Sequence, residues 1–205
     1  MNLSLQADFT QLTKNLTAMQ RQQVPFAIAQ TLNALGDDVA RAVTVQMDRY
    51  LDRPTPFTKK AYVGGRGFKG KRATKRNFEA ILIPGDIQAK YLKFQIAGGT
   101  RLPDQKKILV PTKLAPKNKF GNLTRANRKK MVAGGGNFFS AGDRQGKTPG
   151  IYKRVGNTVQ PFAFYVDEAR YEAIFPIEKI AGGVVRNNLP RRFREALAKA
   201  VASAR

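Results

Sequence analysis

The sequence contains no cysteine, no histidine and no tryptophan. Without cysteine there is no disulfide and no thiolate metal ligand, and without histidine the commonest imidazole ligand and the commonest general base near neutral pH are missing as well. Metal sites and nucleophile–histidine pairs thus lose their usual building blocks. Long apolar runs are also lacking. No stretch approaches the roughly 20 apolar residues that cross a bilayer, and residues 1–12 do not show the basic-then-apolar pattern of a secretory leader. The expectation is a soluble protein made in a cytoplasm, with no membrane contact. Acids are scarce, fourteen Asp and Glu against thirty-seven Lys and Arg, which gives a formal charge of +23. Such a chain repels itself unless a polyanion or an acidic surface compensates it where it works.

The basic residues cluster. Arg53 to Phe78 carries nine cations and no acid, and Gln105 to Gly142 carries nine more, again with no acid. The first window is rich in glycine (Gly64, Gly65, Gly67, Gly70) with Tyr62 and Phe68 interleaved. Glycine lets a backbone follow a phosphate chain, cations displace condensed counterions, and the aromatics are placed either to stack on bases or to anchor the loop. The residues singled out for polyanion or partner-subunit contact are Arg66, Lys69, Lys71, Arg72, Lys75 and Arg76 in the first window, and Lys117, Lys119, Arg125, Arg128, Lys129 and Lys130 in the second. Replacing the cations of the first window is expected to leave folding intact, since loops of this composition add little core. No zinc finger, RRM signature or helix-turn-helix spacing is present, so any DNA contact is expected to be independent of sequence.

Carboxylates and hydroxyls give no catalytic constellation. The run from Gly64 to Lys71 matches neither GxGxxG nor GxxxxGK[ST], and Gly134-Gly135-Gly136 follows a helical segment, where glycine caps a helix instead of cradling phosphate. Asp37-Asp38 and Asp167-Glu168 are adjacent pairs, and adjacent residues do not share one helical face. They read as ion-paired or solubilising acids. Ser140 and Ser203 have no imidazole to activate them. The protein is expected to be non-enzymatic, with no catalytic residue, no metal and no cofactor.

Periodicity predicts an α+β fold, with an antiparallel sheet packed against long N-terminal and C-terminal helices and with extended basic loops. One domain over 1–205 is expected, with excursions at about 53–76 and 112–147. Helical spacing runs through Leu5, Phe9, Leu12, Leu16 and Met19, breaks near 20–24, and resumes through Val24, Ile28, Leu32, Leu35, Val39, Val43, Met47, Tyr50 and Leu51. Pro25 suits the first turn of that second helix, and Gly36 in its middle marks close packing. Residues 53–76 read as a loop or long hairpin, Arg76–Pro84 as a strand with Ala80 and Leu82 inward, and Ile87–Ile96 as a helix capped by Asp86. Lys107–Pro111 reads as a strand and Leu123–Val132 as a helix. Three further strands are placed at Gly150–Val155, Val159–Val166 and Ala173–Ile177, and a last helix begins at Pro190.

Residues 22–33, a helix opening on Val24-Pro25 and running through small residues to Asn33, resemble the N-terminal helix of the lambda minor tail protein Z family of tailed bacteriophages. Phe175-Pro176-Ile177-Glu178-Lys179-Ile180, followed by a basic helix through Leu189-Pro190-Arg191, is similar to that family's closing segment. Gly150 to Gly156 resembles a strand these proteins carry before an aromatic hairpin. The resemblance covers about 70 residues at the two ends together with that strand. It implies a tail-completion or neck component of a virion: a homo-oligomer, as a hexameric ring, joining the tail tube or tail terminator to the head connector around the DNA channel. It would be made in the host cytoplasm and localised to the virion, with genomic DNA as a further contact. The alternative, from another class, is a sequence-independent architectural DNA-binding protein.

Overall fold

The apolar series from Val24 to Met47 becomes the buried stripe of one long helix, α1 (Ala18–Tyr50). The structure is a computed structural model and describes residues 2–6, 18–103, 107–142 and 148–203. Secondary structure is mixed, α+β, with all named strand pairs antiparallel. The chain divides into two compact units, one built from Met1–Ile96 and Ile174–Arg205 and the other from Ala97–Ala173. The second is therefore an insertion between two stretches of the first. Its local strand pairing supplies a separate small core.

In the first unit α1 packs against the last helix, α5 (Ile177–Ala202). Ala27 clusters with Ala196 and Ala200, whereas Asp38 meets Asn188 and Arg192, so the two helices run antiparallel. Alanines let the backbones approach closely at the Ala27 end. Two boundaries differ from the sequence reading. Helix α1 runs through Pro25 without the break expected near 20–24, since a proline two turns inside a helix removes one i→i−4 bond while Val24, Ala27 and Ile28 keep the stripe buried. Helix α5 starts at Ile177 and not at Pro190, because Ile177 and Ala181 are already buried in the core. The strand expected over Ala173–Ile177 is accordingly absent, and Phe175 serves as a buried plug beside Tyr50.

Residues Leu3–Gln6, expected as helix, form a strand, β1, pairing with β5 (Glu79–Leu82) in register Leu3↔Leu82 to Gln6↔Glu79. Pairing with a strand from elsewhere in the chain overrides the local helical spacing. Phe9, Leu12 and Leu16 lie outside the described residues. Strand β5 is central, with β4 (Gly70–Lys71) on its other side, and its Ala80 and Leu82 are fully buried as the alternation predicts. The intervening chain holds a short helix, α2 (Pro56–Lys59), capped by the Thr55 hydroxyl, and a tight hairpin of β2 (Val63–Gly64) and β3 (Gly67–Phe68) turning at Gly65-Arg66. Helix α3 (Asp86–Ala97) follows β5, with Leu92 buried.

The second unit is a four-stranded sheet in the order β7 (Ile108–Pro111), β10 (Thr158–Val166), β9 (Gly150–Val155), β8 (Phe138–Ala141). A two-stranded ribbon, β6 (Gly99–Arg101) with β11 (Ala169–Tyr171), stands beside it in the chain order. Gly156-Asn157 turns the β9–β10 hairpin, and the register shift between Pro161 and Ala163 accommodates a proline in a central strand. Thr112 donates its N–H to Phe162 of β10, so alternate residues Val110 and Ile108 also face β10 and Pro111 faces away. A proline there blunts the open edge at no cost in ladder bonds. Met131 of α4 (Arg125–Val132) joins Phe138, Ile151 and Ala163 in the core of this unit.

Candidate polyanion and partner interface

The first basic window is built into the fold. Tyr62 is 1% exposed and Phe68 is 5% exposed, so neither ring is a base-stacking platform. Phe68 packs against Gly36, where a β-carbon would sit 2.6 Å from its ring, which explains a glycine in the middle of α1. The Phe68 N–H donates to Asp37 at 2.8 Å and the Ala73 N–H to the Asn33 side-chain oxygen at 2.9 Å. Asn33 returns its amide to the Ala73 carbonyl at 3.0 Å. Two polar positions one helical turn apart thus hold the loop by its backbone. Gly70, at φ 133, passes so close to Ile81 that any side chain would collide with its carbonyl. The loop excursion expected at 53–76 is in this respect a packed part of the first unit.

Its cations divide accordingly. Arg72 bonds Asp37 at 3.2 Å and the Arg66 carbonyl at 2.6 Å, and its guanidinium lies 4.7 Å from the centre of the Phe68 ring. Lys69 donates to the Lys60 carbonyl at 2.8 Å, and Lys75 sits 5.0 Å over Phe26. Arg66, Lys71 and Arg76 have exposed side chains with no side-chain hydrogen bond or ion pair among the described residues. A groove of roughly 460 Å³ runs between α1 and the 72–75 stretch, bounded by Phe26, Asn33, Asp37, Arg72 and Lys75.

The second window is organised differently. The Thr124 hydroxyl caps α4 by accepting from the Asn127 N–H at 3.2 Å, and Lys129 and Lys130 lie in its last turn, where cations complement the helix dipole. Arg125, Arg128, Lys129 and Lys130 are exposed on this helix, and Lys117 is exposed beside a bridge to Leu123. Lys119 lies 5.2 Å over Phe120. The excursion expected at 112–147 therefore contains a helix and a sheet strand, while residues 143–147 lie outside the described residues. Arg128 is brought together with Arg101 of β6 and Lys107 before β7 around a groove of roughly 840 Å³ that is also lined by Ile108, Leu109, Asn122, Leu123 and Tyr171. Lys107 lay inside the acid-free window but Arg101 did not; the β6–β11 pairing places it, across about 70 residues of chain, with no local signal.

The adjacent acids Asp37 and Asp38 serve two faces of α1. Asp38, 8% exposed, receives Arg192 Nε at 2.8 Å and a second guanidinium nitrogen at 2.6 Å, with Arg41 and Asn188 completing its shell. Burial pushes this carboxyl up, but the hydrogen bonds from Arg192 and Arg41 outweigh it and hold the carboxyl below its ordinary value. The same bond to Asp38 pushes the Arg192 guanidinium up. Glu195 is lowered, chiefly by its hydrogen bond from Arg191. This helix-to-helix clamp was not foreseen, since 154 residues separate Asp38 from Arg192. The Tyr62 hydroxyl is buried without a partner among the described residues, and burial pushes its pKa up to about 12. No group of three or more acids that could hold a metal ion occurs among the described residues.

No family model, curated protein or solved structure matches this chain.

Proposed function

We propose that the protein is a non-enzymatic structural component of a phage virion, a tail-completion or neck protein that forms a homo-oligomeric, hexameric ring between the tail and the head connector. The observation that carries this reading is the contrast between a cross-braced helical unit, in which ion pairs hold α1, α5 and the first basic stretch, and an inserted β unit whose α4 cations stand exposed. A scaffold of the first kind suits a ring subunit, and a separately folded basic insertion suits contact with a neighbouring subunit or layer. The local resemblance of the chain ends to the minor tail protein Z family points the same way.

Quantitative mass spectrometry of purified virions tests it. Six copies per particle, or a multiple of six, is the expected result; absence from the particle sinks the proposal. The second reading, an architectural DNA-binding protein, is favoured by the exposed cations on α4, which have no ion pair among the described residues. It requires a monomer that binds duplex DNA at physiological salt and stays out of the particle.

A further inference from the structure

We infer that the groove walled by Arg101, Lys107 and Arg128 is a docking site for an acidic, aliphatic-rich extended segment of a partner protein. The inference rests on the reading above, that this chain is an assembly component, and it names the surface and the chemistry of one contact.

The three cations come from three separate parts of the second unit, β6, the residue before β7, and α4, and they converge on one concavity of roughly 840 Å³. A volume of that size lies in the range of ligand pockets, and a duplex nucleic acid, about 20 Å across, does not enter it. Arg101 and Arg128 are exposed and carry no side-chain hydrogen bond or ion pair among the described residues. Guanidinium groups in this state offer paired donors to a carboxylate or a phosphate. The lining favours the carboxylate. Ile108, Leu109 and Leu123 are aliphatic, Pro103 and Pro111 add further apolar surface, and Tyr171 is the single aromatic among the described lining residues, whereas single-stranded nucleic acid is held on a succession of aromatic faces. Aliphatic side chains on a peptide bury against such a lining while its carboxylates reach the rim.

The molecule already sets a carboxylate on this rim. Asp167 lies 3.3 Å from the Lys107 ammonium, and Asp167 is 80% exposed. A pair so exposed is weak and easily exchanged. Asp167 therefore acts as an internal competitor, and an incoming carboxylate takes its place on Lys107.

The test uses the full-length protein and two fluorescent probes, a twelve-residue peptide of alternating Glu and Leu and a dT12 oligonucleotide, read by anisotropy at low and at physiological salt. The expected result is saturable binding of the peptide, weakened at least about tenfold in R101S/K107S/R128S. The control K117S/K119S/K129S removes the same charge from the same unit outside the groove and is expected to change affinity by less than about threefold. D167N is expected to tighten the peptide, a response that a merely structural aspartate does not give. Circular dichroism confirms folding; if the triple variant is unfolded, R101S and K107S alone carry the comparison, both being exposed side chains. Three results overturn the inference: no saturable peptide binding, equal losses in the groove and control variants, or groove-dependent binding of dT12 in preference to the peptide. None of them bears on the copy number in virions, so failure here is distinct from failure of the proposed function.

Discussion

Two stretches of this chain each hold nine cations, no acid and several glycines, and they have opposite fates. In the first, Ala61, Tyr62, Phe68 and Ala73 enter the main core, and Asn33 and Asp37 on α1 receive the loop backbone. In the second, only Ala115, Met131 and Phe138 are buried among the described residues, and the cations on α4 point away from them. Charge density therefore does not define a contact surface. What decides is whether the stretch also carries apolar anchors within reach of a partner element that has an acceptor to spare. The first stretch meets both conditions and half its cations become internal braces. The second has apolar anchors, but the ion pair seen among its described cations is the exposed one of Lys107 with Asp167.

The largest effect is expected where the first unit is least able to adapt. Val39 is fully buried on α1. Val39→Asp forces a charge into that stripe at a cost on the order of the whole stability of a domain, above about 5 kcal/mol. Loss of the cooperative thermal transition by circular dichroism checks this, and a transition retained near the parent temperature would contradict the placement of α1. Next comes the clamp. Asp38→Asn removes the buried carboxylate from partly buried Arg192, leaving it the exposed Glu195, and is expected to cost about 2–4 kcal/mol in denaturant titration. Its pH dependence follows from the lowered carboxyl. The folded state releases the proton more readily than the unfolded state does, so the clamp stabilises fully above the ordinary carboxylate value of 3.8 and fades as pH falls through the lower folded value. The gap between the parent and Asp38→Asn should thus close in acid, below about pH 4. A gap that stays constant down to pH 3, a value about one unit below the carboxylate range, argues that the amide disturbs packing instead.

Much of this scaffold is legible in the sequence, for a physical reason. The α1 stripe, the alternation of Ala80 and Leu82, and the close approach at Gly36 are set by side-chain period and volume, which act over a few residues. Pairing over long separations is not legible in that way. Nothing near Leu3 announces a strand, because its partner is Leu82, and nothing near Asp38 announces Arg192. The pair Asp37-Asp38 reads from sequence as ion-paired or solubilising acids; the structure adds that each grips a different element. Three of the basic residues singled out for contact, Arg72, Lys69 and Lys75, also make bonds or ring contacts inside the first unit. Composition cannot show that Asp37, the Lys60 carbonyl and the Phe26 ring lie beside them. The groove was half visible: Arg128 was singled out, and Arg101 could not be.

Arg72 sharpens the contrast between the two stretches at a smaller scale. Its bonds to Asp37 and to the Arg66 carbonyl, with its place over Phe68, predict a loss of about 1–2 kcal/mol for Arg72→Ser, after discounting an ion pair that is partly open to solvent. This replaces the expectation that the first-window cations are dispensable for folding. An unchanged denaturation midpoint would restore that expectation. Tyr62 offers the opposite sign. Its hydroxyl is buried with no partner among the described residues, so Tyr62→Phe keeps the packing, removes that group and should raise stability by about 1 kcal/mol. A loss of stability would reveal a bond that the hydroxyl makes in solution.

The smallest effect belongs to the second stretch. Arg125 and Lys129 are exposed on α4 and make no side-chain hydrogen bond or ion pair among the described residues, while the helix is held by its Thr124 cap and by Met131. Exchanging either for Ser removes a helix-favouring side chain and, for Lys129, a favourable charge near the C-terminus, so the loss should stay within about 0.5 kcal/mol. Chemical denaturation of Arg125→Ser and Lys129→Ser beside Arg72→Ser makes the comparison direct: three single cations, one from a braced stretch and two from an open one. If Lys129→Ser costs as much as Arg72→Ser, the cations of the second stretch are braces too, and exposure alone is a poor guide to which basic residues are left for a partner.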